Sequence, residues 1–90
     1  MDLSALPGGD LMAKGLRDLA ANRDTVEAAL VEVGAPKLRG LGLMVTSSRD
    51  VPEHHLYALL SRETPDSAHS RYNALIRRLV SFERALACVK

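Results

Sequence analysis

Large aromatic side chains are almost missing from this sequence. It has no Trp, one Phe (Phe82) and two Tyr (Tyr57 and Tyr72) among 90 residues. Such a core must gain its energy from many small apolar contacts rather than from a few large rings. β-Branched residues are also scarce, with Val and Ile together numbering 8 against 15 Leu and 12 Ala. Strands favour β-branched and aromatic residues, whereas Leu, Ala, Arg and Glu favour helices. The composition therefore argues against a sheet and for an all-α fold.

Cysteine is reduced to Cys88, so no intramolecular disulfide can form and folding does not depend on oxidation. No apolar run approaches the roughly 18 residues of a membrane span. The N-terminus lacks the basic region and apolar stretch of a secretory leader. A cytoplasmic protein with no membrane contact is expected, and the Leu, Ala and Arg bias reads as a GC-rich bacterial coding sequence. Charge of one sign is also missing, the formal net charge being +1. The balance is uneven: residues 66–90 carry five basic and two acidic side chains, residues 1–65 seven basic and nine acidic. That asymmetry allows a phosphate-facing helix without requiring one, because basic nucleic-acid tails are blocks of about five or more like charges.

What the sequence does have is a long apolar seam at its C-terminal end. From Ala68 onward apolar residues fall at Tyr72, Leu75, Leu79, Phe82, Leu86 and Val89. These alternating steps of four and three residues belong to a helix packed along its length against another helix. Ile76 and Val80 widen the apolar face beyond a two-residue seam, which suits a bundle better than a pure coiled coil.

Punctuation divides the rest. Pro7-Gly8-Gly9 closes a lead-in, Asp10 stands where an N-cap belongs, and Leu11 to Ala21 form a first predicted helix. Gly15 inside it is either a weak point or a close helix crossing. A second helix starts after Asn22-Arg23, capped by Asp24 with Glu27 three residues on as in a capping box, or by Thr25 alone. Gly34 is placed as its terminal glycine, with Pro36 as a stop. Residues 35–50 are irregular: a short turn carries Leu38 and Leu41 inward, Leu43-Met44-Val45 is a buried extended segment or a docking strip, and Thr46 to Arg49 form a polar loop. Asp50-Val51-Pro52 opens a third helix running to about Arg62. Thr64-Pro65-Asp66 precedes the fourth and longest, roughly residues 67–88. The whole chain, residues 1–90, is expected to be a single small bundle of about four helices.

Chemical signatures are few. His54 and His55 are adjacent on a helix and point about 100° apart, and neither makes a His-x3-His pair with His69, so no metal site is expected. Ser67, Ser70 and Cys88 have no base at a diagnostic spacing, and Gly40-Leu41-Gly42 lacks the third glycine of a phosphate loop. Neither catalysis nor a cofactor is expected.

Two surface readings are left. In the first the protein is an adaptor or regulator that binds a protein partner or itself. Its interface is then Tyr72, Leu75, Leu79, Phe82 and Leu86, with Arg78 of one helix pairing with Glu83 of its copy across a homodimer. The same seam serves equally as the spine of a monomeric bundle, with Glu83 solvated. In the second, residues 52–88 act as a helix-turn-helix-like unit, with Arg71, Arg77 and Arg78 contacting DNA. Glu63 and Asp66 in the turn oppose that, because they would face the DNA backbone.

Overall fold

A computed structural model describes residues 3–45 and 51–89, apart from the Ser4 side chain. After a 3-10 turn, Leu3–Ala5, come α1 (Gly9–Ala20), α2 (Val26–Val33), α3 (Ala35–Gly40), α4 (Pro52–Glu63) and α5 (Ala68–Val89). No strand occurs among the described residues, and none of their helices is long and apolar enough to cross a membrane. The architecture is a small all-α bundle of two helical hairpins, α1–α2 and α4–α5, with α2 laid against α4 and the short α3 joining them. Among the described residues five α-helices stand where about four were expected, because Pro36 sits in the first turn of α3. A proline there sacrifices no hydrogen bond, so it starts a new helix instead of ending the chain's helicity.

The α1–α2 hairpin is shaped by its turn. Asn22 takes a left-handed conformation (φ 58°), which asparagine tolerates. Arg23 N–H reaches Asp18 O at 2.7 Å and Asn22 N–H reaches Leu19 O at 3.1 Å, closing α1 in a Schellman arrangement. Thr25, not Asp24, caps α2: its Oγ1 accepts from Ala28 N–H at 3.1 Å. The same hydroxyl donates to Asp18 at 2.6 Å, a tertiary bond invisible to local sequence. The expected Asp10 cap of the first helix is likewise displaced, since α1 begins two residues earlier, at Gly9 behind left-handed Gly8.

Asp18 is 3% exposed and ties the hairpin together. The Lys14 ammonium, then the Thr25 hydroxyl, donate to its carboxylate and hold its pKa below the usual range. This contribution is present at neutral pH and is lost as the pH falls through the lowered folded-state value.

One core runs through the bundle. Met12 of α1, Leu30 of α2, Leu38 of α3, Leu56 and Leu60 of α4 and Phe82 of α5 are all fully covered, and the alanines Ala28, Ala29, Ala35 and Ala68 let the helices approach closely. Val45 is buried and Met44 beside it exposed, so the apolar run after α3 alternates inward and outward. The polar loop expected at residues 46–49, and Asp50 after it, lie outside the described residues.

Gly15 resolves as a crossing point. A Cβ there would overlap the backbone carbonyl oxygen of Glu27 and a methyl of Val31. Helix propensity alone would make Gly15→Ala stabilising by about 1 kcal/mol. The crossing reverses the sign: we expect a loss of about 1–3 kcal/mol in urea denaturation, because a backbone carbonyl cannot rotate away from the new methyl. A stabilised G15A protein would contradict this packing.

Candidate protein-binding face

Most of the expected interface proves to be interior. Leu79, Phe82 and Leu86 are covered by the chain itself, and Phe82 has no solvent exposure. Tyr72 and Leu75 are half-buried. Three of the five apolar seam residues thus lie beyond a partner's reach while the chain is folded. The Arg78–Glu83 pair is not set up either. Arg78 turns toward α1, its Nη2 3.6 Å from Asp10 Oδ1. Glu83 is only 9% exposed and packs where α2 meets α3: a Cβ on Gly34 would stand 3.3 Å from its Oε2 and 2.8 Å from Leu79 Cδ1. A seam's period says which residues share a face and leaves open whether the same chain or another covers it.

The three arginines singled out for DNA also part company. Arg71 donates from Nη1 to Glu63 at 3.2 Å and to Thr64 Oγ1 at 2.9 Å, across the α4–α5 turn. Arg71 and Arg78 lie on one side of α5, and Arg77 points about 100° away from Arg78. Two of the three are thus engaged within the chain, and the set presents no common surface. Arg77 instead shares its face with Arg84, seven residues on and about 20° away around the helix. Both are exposed, and neither makes an ion pair with any described residue.

Near these two arginines ends a partly exposed apolar strip. Tyr57 of α4 and Tyr72 of α5 pack ring on ring, their centroids 5.8 Å apart and planes tilted by 58°. Tyr72, Ile76 and Val80 follow at four-residue steps along α5, turning gradually outward from the core. Tyr57 is 40% exposed and Val80 37%, with Ile76 half-buried between. Both tyrosines and the sole isoleucine of the chain therefore border solvent on the outer face of the α4–α5 hairpin. The sequence signal was the apolar pair Ile76 and Val80 outside the seam; Tyr57 gave none, because its place depends on how α4 docks.

The opposite side of the hairpin holds a cleft of about 420 Å³, floored by Leu11, Val26, Leu59 and Leu75. Its charged rim is committed internally. Glu63 bonds Arg71, Glu27 faces the Lys14 ammonium at 3.3 Å, and Asp24 Oδ1 lies 2.6 Å from His55 Nε2. The histidines do not gather: His54 is exposed, His55 is held by Asp24, and His69 meets Asn73 at 3.2 Å. Among the described residues no three His, Cys, Asp or Glu side chains assemble to hold a metal, and Cys88 is an exposed free thiol. Comparison with models of known protein families, with curated proteins and with solved structures finds no match.

Glu83 gives a direct test of its inward placement. Burial pushes its carboxyl above the ordinary carboxylate range, with the nearby Lys37 charge pulling the other way. The native state then binds this proton more tightly than the unfolded chain. Stability from this group is full below the ordinary carboxylate value and is lost as pH rises through the raised folded-state value. We expect Glu83→Gln to stabilise the protein by about 1 kcal/mol at neutral pH. The gain should shrink toward zero on acidification below about pH 4, read by urea denaturation at both pH values. A variant less stable than wild type at neutral pH would show that the charged form is held by a partner.

Proposed function

We propose that this chain is a small non-catalytic cytoplasmic protein that works as an adaptor or regulator, binding another protein through the outer face of α4–α5. The observation that carries the reading is the partly exposed strip of Tyr57, Tyr72, Ile76 and Val80, with Arg77 and Arg84 beyond its Val80 edge. In a chain with three aromatic residues, two border solvent, on a strip whose far end at Val80 leads to the unpaired Arg77 and Arg84. Tyr and Arg are the residues that interfaces concentrate and that carry most of their energy. The free thiol of Cys88 and the absence of any disulfide accord with a reducing compartment.

The strip suits a different protein better than a second copy. An antiparallel copy centred between Val80 and Ser81 sets Arg77 of each chain against Arg84 of the other. A parallel copy sets each arginine against itself. Either arrangement juxtaposes like charges inside the interface, which costs several kcal/mol. The homodimer expected from the seam therefore gives way to a heterotypic partner. The DNA reading is weaker because Arg71 and Arg78 are already engaged.

A photo-crosslinking residue in place of Val80 tests this in living cells. We expect one discrete protein adduct, abolished by Tyr57→Ala and absent when the crosslinker replaces Arg17 on the exposed side of α1. Adducts with nucleic acid, or only with a second copy of this chain, would overturn the reading.

A further inference from the structure

We propose that the partner segment seated on the α4–α5 face is an acidic amphipathic helix, carrying aliphatic side chains on one stripe and Asp or Glu along its edge. This rests on the protein-binding reading above and specifies the chemistry of the partner.

The charge of α5 carries the inference. Its side chains that carry a full charge at neutral pH, His69 apart, are Arg71, Arg77, Arg78, Arg84 and Glu83. Glu83 is turned into the bundle, so the exposed charges of this helix are all arginines. Arg71 and Arg78 are spent on Glu63 and Asp10, which leaves Arg77 and Arg84 as the two cations flanking the apolar strip. A ligand that covers the strip through Val80 approaches Arg77 and Arg84, which stand about 40–60° further around the helix from Val80. A basic segment would meet repulsion, and a neutral one would desolvate two cations without compensation. Carboxylates answer both, because guanidinium offers paired N–H donors matched to carboxylate oxygens.

Geometry favours a helix as their carrier. The strip follows one ridge of four-residue steps, running about 12 Å from Tyr72 to Val80 along the axis of α5 while winding gradually around it. Arg77 and Arg84 stand about 10 Å apart on the same side. A helix laid beside α5 presents apolar anchors at i, i+4 and i+7 to the strip, and acidic residues seven positions apart repeat at the spacing of the arginines. The Tyr57–Tyr72 pair closes one end of the strip and supplies the amphipathic rings to anchor against.

Designed peptides provide the probe, with the full chain as receptor. Three helical peptides of about four turns share one leucine stripe and differ only at the flanking positions, which are all Glu, all Gln or all Lys. Fluorescence anisotropy should rank them Glu, then Gln, then Lys, with the Glu peptide binding at least about tenfold more tightly than the Gln peptide. The Glu preference should fade between about 50 mM and about 500 mM salt. The double variant Arg77→Glu, Arg84→Glu alters two exposed, unpaired positions and should keep the wild-type circular dichroism. It should reverse the order, binding the Lys peptide over the Glu peptide. Val80→Ser should weaken all three peptides together without changing their order.

Equal affinity for the Glu and Gln peptides, or no reversal in the charge-swapped variant, would overturn the acidic partner while leaving protein binding at this face intact. Binding of none of the peptides, with no protein adduct at position 80, would overturn both. Tighter binding of duplex DNA than of the Glu peptide, lost in the double variant, would assign the two arginines to phosphate instead.

Discussion

Phe82 is the one fully buried aromatic side chain among the described residues, and the bundle depends on where it is placed. It lies fully covered on α5 beneath Gly8, and Leu79 and Leu86, one turn to either side, are buried with it. A chain of 90 residues hides only about 60–65% of its unfolded surface. With so little aromatic material it cannot keep its best apolar helix face for a partner. The seam of α5 is consumed in holding the two hairpins together, and the rest of the molecule adjusts to that use. Alanines at positions 28, 29, 35 and 68 and the bare Cα of Gly15 bring the helices close enough for short side chains to fill the space.

Polar groups follow the same economy. Asp18, nearly covered at the end of α1, is an acid where the helix dipole disfavours one. It is kept by the Lys14 ammonium, the Thr25 hydroxyl and Arg23 nearby. The cleft rim closes on itself through Asp24–His55, Glu27–Lys14 and Glu63–Arg71. Among the described residues no buried side-chain nitrogen or oxygen lacks a hydrogen-bond partner. Buried polar groups are thus satisfied within the chain, while on the outer face of α4–α5 apolar side chains and two unpaired arginines stay open to solvent.

Much of the scaffold was legible in the sequence. The steps of three and four from Tyr72 to Val89 mark a continuous helix, and Pro52, Thr64-Pro65-Asp66 and Asn22-Arg23 mark the breaks around the others. Each of these signals is local, because helix periodicity and backbone punctuation act within a few residues. Features fixed by tertiary partners were not legible. Thr25 wins the α2 cap because its hydroxyl also serves Asp18, and Asp24 is drawn to His55, 31 residues away. Pro36 opens α3 because Leu38 has a fully buried place waiting. The site was legible in part: Tyr72 belonged to the expected interface and Arg77 to the expected cation set. Spacing along α5 could not reveal that Leu79, Phe82 and Leu86 face their own chain while Tyr57 and Val80 face outward.

If the α5 seam is satisfied within one chain and its arginine-bearing outer face repels a copy of itself, the protein stays monomeric. Sedimentation equilibrium across the micromolar range tests this most directly. The single-chain mass of 9.8 kDa is expected at every loading concentration. A mass that climbs with concentration toward twice that value would contradict it and return the seam to an intermolecular role.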